Sequence, residues 1–125
     1  METIIALENV YERDPGQMKL LLDALASPQV RFCFDAGHAN AFGGAPLGLW
    51  MDTLGDFLGE IHIHDNQGLA DEHLPVGEGN IPFSELFSIL RQKSLRPILT
   101  VESHSEHGLR RMLENIRVME LLGRL

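Results

Sequence analysis

Four short apolar runs, each closing on an acid or a histidine and followed by helical periodicity, leave this chain few folds to choose from. The first, Thr3-Ile4-Ile5-Ala6-Leu7, is nearly continuous, as expected of a strand buried on both faces, and it closes on Glu8-Asn9-Val10. The second, Val30-Arg31-Phe32-Cys33-Phe34, closes on Asp35-Ala36-Gly37-His38. The third, Ile61-His62-Ile63-His64, alternates with period two and runs on into Asp65-Asn66. The fourth, Pro97-Ile98-Leu99-Thr100-Val101, closes on Glu102-Ser103-His104.

After the first run, Asp14-Pro15 reads as an N-cap followed by proline at the first helical position. Met18, Leu21, Leu22 and Leu25 continue at helical spacing until Ser27-Pro28 stops them. Ala39 to Pro46 reads as a small-residue, glycine-rich loop. From about Leu49 to Leu58 the residues Trp50, Leu54, Phe57 and Leu58 predict a helix, weakened at Gly55. Pro82 can open another over Phe83, Leu86, Phe87 and Leu90, and the last carries Leu109, Met112, Leu113, Ile116 and Met119 on one side. Strand and helix thus alternate without a hairpin signal, which predicts an α/β fold with a parallel sheet covered by helices. In such a sheet the C-terminal strand ends share one face, where these folds place their sites. Glu8, Asp35 with His38, His62 with His64, and Glu102 with His104 would gather there.

The stretch from Ile61 to Gly79 carries most of the chemistry. His62 and His64 share one strand face and Ile61 and Ile63 the other. Two histidines on one face of a buried strand are costly without a metal, a proton partner or a substrate. The run breaks at Gly68, supplies Asp71 and His73 two apart, and closes through Pro75, Gly77 and Gly79 as a tight loop. Each candidate has a plainer reading: Glu8 or Asp35 as a helix cap or salt-bridge partner, His62 as a hydrogen-bonded interior histidine, Asp71-x-His73 as a chance loop pair. His104 and His107 fit solvated positions at a helix start, and Glu78 fits a cap or an exposed acid. The conjunction at four successive strand ends is what points to a metal site. Carboxylates mixed with imidazoles suit a cation of intermediate hardness: zinc, manganese, iron or cobalt.

With 125 residues, 44% hydrophobic and 22% charged, residues 1–125 fit one domain with a sizeable core. No apolar run is long enough to cross a bilayer, and Met1 leads into a strand-like segment without the basic start of a signal peptide. The single cysteine, Cys33, lies in an apolar run and fits a core position, so a cytoplasmic location is expected. A net charge of −8 argues against nucleic acid as a partner.

Glu8 in L-E-N, Asp35-x-x-His38, His62-x-His64-Asp65-Asn66, Asp71-x-His73 before L-P-V-G-E-G, and Glu102 in V-E-S-H together resemble the second half of the xylose isomerase-like TIM barrels. That superfamily includes sugar and sugar-phosphate isomerases and epimerases and the endonuclease IV family. The resemblance covers essentially the whole chain. On the epimerase analogy, Glu8, Asp35, His62 and Glu102 would hold one divalent metal, the family pattern placing the histidine ligand at His62 rather than His64. Glu8 and Glu102 would be the catalytic pair, moving a proton on carbon through an enediolate held by the metal. His38 and His73 would bind hydroxyls of the sugar or sugar phosphate. On the endonuclease IV analogy, a zinc phosphodiesterase, a second metal would be held by His38, Asp71 and His73.

The resemblance also implies something incomplete. A (β/α)₈ barrel takes roughly 250 residues, and nothing here resembles its first four strands. Two half-barrels pairing as a homodimer would close the eight strands and cover the open edges; the plainer alternative is a fragment or degenerate remnant of a longer enzyme. A third reading is a half-barrel that binds metal without catalysing a reaction. A metal-dependent sugar isomerase or epimerase is the leading one.

Overall fold

The computed structural model of the protein describes residues 3–121 and Gly123. Its strands are β1 (Ile5–Glu8), β2 (Val30–Asp35), β3 (Leu58–Ile63) and β4 (Ile98–Val101), paired in the order β1-β2-β3-β4. Every pairing is parallel, with Glu8 beside Cys33, Asp35 beside His62 and His62 beside Thr100. Helices α1 (Gly16–Leu25), α2 (Ala36–Ala41), α3 (Leu47–Leu54), α4 (Phe83–Gln92) and α5 (Glu106–Leu121) complete four β-α units. This is the predicted α/β half-barrel: a connection between parallel neighbours must cross the sheet, and a helix does so while burying its apolar stripe.

The pleat divides the sheet into two chemical faces. Phe32 and Phe34 of β2 and Ile61 and Ile63 of β3 alternate onto the helix side and are fully buried. Trp50 of α3 is their hub, its ring parallel to Phe32 at 6.2 Å and tilted against Phe34 at 5.7 Å. Burying each such side chain contributes about 1.5–3 kcal/mol, so this face holds the sheet to its helices. The intervening residues, Cys33 and Asp35 on β2 and Glu60 and His62 on β3, point to the other face. In a closed barrel that face is the interior.

Several boundaries differ from those the sequence predicts. The stretch after Asp35 is not loop throughout: Asp35 Oδ1 accepts the His38 N–H at 2.7 Å and starts α2 at once. The helix expected over 49–58 spans Leu47–Leu54 instead. At Gly55 it tightens into a single 3₁₀ turn, and Leu58 already belongs to β3. β3 therefore starts earlier than the alternation alone suggests, and His64 falls just beyond it. β1 is not buried on both faces, since it is a sheet edge in this chain and Ile5 is 55% exposed. The opposite edge strand leaves Ile98 67% exposed. Among the described residues no helix is long and apolar enough to cross a membrane.

Candidate metal centre

The parallel register stacks the polar strand ends into one cluster. His62 Nδ1 lies 3.0 Å from Glu8 Oε1, 3.4 Å from Glu102 Oε1 and 3.6 Å from Asp35 Oδ2. One imidazole nitrogen thus faces carboxylates from three other strand ends. Glu102 is held just past β4 by its own N–H, which donates to the Ile63 carbonyl at 3.1 Å. Glu8, Asp35 and His62 offer ligand atoms within 4.8 Å of one another, and Asp35, His64 and Glu102 form an overlapping group. All four residues expected around one cation are brought together.

Asp35 is the pivot and is fully buried. Its Oδ1 caps α2, as the plain reading has it, while Oδ2 lies 3.0 Å from His64 Nε2 and faces the cluster. The Asn9 side chain clamps its backbone, donating to the Asp35 carbonyl at 3.0 Å and accepting the Asp35 N–H at 2.8 Å. Asn9 was not among the expected site residues; its place directly after Glu8 was the available signal.

His38 Nδ1–H donates to the Asn9 carbonyl at 2.9 Å, which leaves Nε2 3.3 Å from Asp71 Oδ2. The expected trio of His38, Asp71 and His73 is met in a different grouping. His64, Asp71 and His73 offer ligand atoms within 4.8 Å of one another, and His38 stays beside them through Asp71 at 3.3 Å. His64 is fully buried, stacked on His73 at 3.8 Å between ring centres, and seated on Gly37. A Cβ at Gly37 would lie 2.0 Å from His64 Cε1, so only glycine admits this ring. His64 Nδ1, Asp71 Oδ1 and His73 Nδ1 are buried without a hydrogen-bond partner among the described residues. Such atoms are costly in isolation and are candidate ligands for a cation. His104 is exposed at the edge, as expected, and its ring stacks on His73 at 4.0 Å.

The electrostatics favour a cation. Burial and the neighbouring Asp35 hold the Glu8 carboxyl above its usual range. Burial alone would raise Asp35 as well, but its bond to His64 and that imidazole's charge win, taking it down to about 2. Burial pulls His38 down, and the Asn9 carbonyl with the Asp35, Asp71 and Glu8 carboxylates more than reverses this. Burial and His64 lower His73. Carboxylates crowded so that one resists ionisation are relieved by a divalent ion. The donor set therefore fits a metal.

The loop carrying Asp71 and His73 is pinned by Asp65, also fully buried. Its carboxylate accepts the N–H groups of Asn66 at 2.9 Å, Gly77 at 2.9 Å and Ile81 at 3.1 Å. Its own N–H and carbonyl pair with Leu74 at 2.8 Å each way. Gly79 passes so close that an added Cβ would lie 2.2 Å from Asp65 Oδ1. His73 takes a positive φ of 52°, strain that ligand-bearing loops often store.

Comparison with known proteins agrees with this fold. An uncharacterized protein of Methanocaldococcus jannaschii is 32% identical over 104 residues, 82% of this chain and 36% of that relative. Fructoselysine 3-epimerase of Escherichia coli O157:H7 is 37% identical over 57 residues, 46% of this chain and 21% of the enzyme. The crystal structure of a D-tagatose 3-epimerase-like protein superposes with a TM-score of 0.82 at 26% identity, covering 95% of this chain and 47% of that one. The chain thus spans about half of that structural relative, and its matches cover a smaller share of the curated ones. The family profile matches residues 2–122, and the chain belongs to the xylose isomerase-like TIM barrels.

Proposed function

We propose that this chain is the metal-binding half of a sugar or sugar-phosphate isomerase or epimerase. One observation carries the reading: His62 Nδ1 stands within 3.6 Å of carboxylates from Glu8, Asp35 and Glu102. Glu8, Asp35, His62 and Glu102 would hold a divalent cation such as zinc, manganese, cobalt or iron. When bound, it supplies a Lewis acid for a sugar carbonyl and its neighbouring hydroxyl. Glu8, whose carboxyl already resists ionisation, and Glu102 would take and return the proton on carbon. Fructoselysine 3-epimerase among the relatives supports a ketose-type substrate. His38 and His73 would orient its hydroxyls. A cytoplasmic location belongs to this reading, resting on a single buried Cys33.

The wild-type chain with manganese or cobalt is expected to catalyse exchange of a substrate C–H proton in deuterated water for at least one of a panel of ketoses and ketose phosphates. Glu102→Gln should lower that exchange by about 10²-fold or more. Proton NMR of the sugar reads it directly. If wild type and variant are equally inert on every sugar, the enzyme reading fails and a metal-binding half-barrel remains.

The unpartnered atoms on His64, Asp71 and His73 favour a second reading with two cations, as in a zinc phosphodiesterase. A net charge of −8 weighs against a nucleic-acid substrate. Self-association is part of the proposal, because both sheet edges are open and each end strand keeps an isoleucine more than half exposed. Native mass spectrometry of the isolated chain with zinc checks both points. A dimer with one ion per chain fits the epimerase reading, two ions per chain fit the phosphodiesterase, and a metal-free monomer excludes both.

A further inference from the structure

Beneath the cluster, on the same sheet face, lies a polar layer that the proposed chemistry does not use. Glu60 stands two residues before His62 on β3, so both side chains leave the same face of the strand. Its carboxylate Oε1 is 3.5 Å from His62 Nε2, the ring nitrogen opposite the one that faces Glu8, Asp35 and Glu102. Thr100, beside His62 in the β3–β4 ladder, donates its hydroxyl to that same oxygen. Cys33, on β2, completes a group with Glu60 and His62 whose ligand atoms lie within 4.8 Å of one another. Among the described residues Glu60 forms no ion pair with a lysine or arginine, and its polar neighbours in this layer are His62, Thr100 and Cys33.

We propose that Glu60 is a positioning residue that holds His62 with Nε2 protonated and Nδ1 free, and that Thr100 fixes Glu60 for this task. The inference rests on the reading of the cluster as a metal centre and adds how one ligand is aimed. An imidazole can give its lone pair through only one nitrogen, and the hydrogen bond at the other decides which. Here the upper nitrogen meets the three carboxylates, with a hydrogen bond to Glu8 at 3.0 Å, and the lower one lies 3.5 Å from Glu60, within reach of a hydrogen bond once a cation takes Nδ1. A donor at position 60 would turn the ring's usable lone pair downward, away from Glu8 and Glu102. The carboxylate also makes the ring a stronger base toward a cation. Thr100 matters because an unanchored glutamate on the open face would swing into solvent.

Cys33 could instead make this layer a metal pocket of its own. The geometry that favours the upper cluster is that three carboxylates converge on His62 Nδ1, whereas Nε2 has Glu60 alone, and Cys33→Ser separates the two.

The test uses the full chain and Zn²⁺ itself, by competition titration against a chromogenic chelator, with ¹⁵N NMR of the zinc-loaded histidines. The wild type should show His62 bound through Nδ1 with a slowly exchanging Nε2–H. Glu60→Ala should weaken zinc by about 10–100-fold and make that proton exchange rapidly. Glu60→Gln, whose amide oxygen still accepts, should recover most of both, and Thr100→Val should weaken zinc by about fivefold. Cys33→Ser should leave affinity unchanged. The Gln and Val variants keep the comparison open if the alanine variant does not fold. Unchanged affinity and proton exchange in the Glu60 variants would overturn the role of Glu60 alone. A loss in Cys33→Ser as large as in Glu60→Ala would put the ion in the lower layer and overturn it too. A wild type that binds no zinc would overturn the metal centre as well.

Discussion

Asp35→Ala is expected to abolish divalent-metal binding, weakening it by on the order of 10³-fold, and to destabilise the fold by about 3–5 kcal/mol. The reason is that Asp35 is fully buried and meets three histidines at once. Its carboxylate caps α2 through the His38 N–H and meets His64 Nε2 at 3.0 Å and His62 Nδ1 at 3.6 Å. Removing it leaves the buried His64 ring without a partner on either nitrogen, since Nδ1 already has none among the described residues. Asp35→Asn separates the two losses. Its amide oxygen can still accept the His38 N–H, so most of the stability should survive while metal binding falls by on the order of 10²-fold. Urea denaturation and zinc titration read them independently. Metal binding that persists in Asp35→Asn would move the ion to His64, Asp71 and His73.

The same carboxylate sets an acid dependence. Its folded-state value of about 2 lies below the ordinary 3.8, so its contribution is complete above pH 3.8 and is lost as the pH falls through about 2. That contribution is about 2 kcal/mol at neutral pH. Glu8 works in the opposite sense: raised by burial and by Asp35, its ionisation costs the metal-free fold stability, and that cost is relieved as the pH falls towards 4.5. A stability curve between pH 6 and pH 2 should therefore hold or rise slightly before it drops. In Asp35→Asn the drop near pH 2 should disappear.

Asp65→Ala should cost about 3–5 kcal/mol without touching the first cluster. Three backbone N–H groups, from Asn66, Gly77 and Ile81, end on this one buried carboxylate. Alanine would strand all three and unfasten the loop from residue 66 to residue 81. The loop carries Asp71 and His73, so any second cation should be lost with it. Asp65→Asn keeps the shape but can accept at only one of its two side-chain positions, and an intermediate loss is expected. Hydrogen exchange on the amides of Gly77 and Ile81 localises the effect. A loss below about 1 kcal/mol would show that the Leu74 pairing and the glycine turns hold the loop without Asp65.

Much of this arrangement is legible in the order of residues. The alternation of apolar runs with helical stripes specifies a parallel sheet, because each strand lacks a hairpin partner and each helix must bury its stripe. The polar residue at each strand end then specifies the face on which the site forms. What local periodicity could not place was set by contacts distant in sequence. Whether Asp35 opens a helix depends on its carboxylate reaching His38 while the Asn9 amide holds its backbone. Leu58 belongs to a strand and not to a helix because β2 offers it a partner, Phe32. His64 reaches the group with Asp71 and His73 because Gly37 has no side chain to fill the space that its ring occupies.

The sequence by itself determined the fold class, the four strand ends and the list of donors, since period, charge and residue type are local properties. Only the tertiary structure decided which nitrogen of His62 faces the carboxylates, that Glu60 lies behind it, and that Asp65 serves the loop rather than the metal. These are matters of register and side-chain direction between strands far apart in the chain. A pleat repeats every two residues, so one shift in pairing would have sent each of those groups to the opposite face.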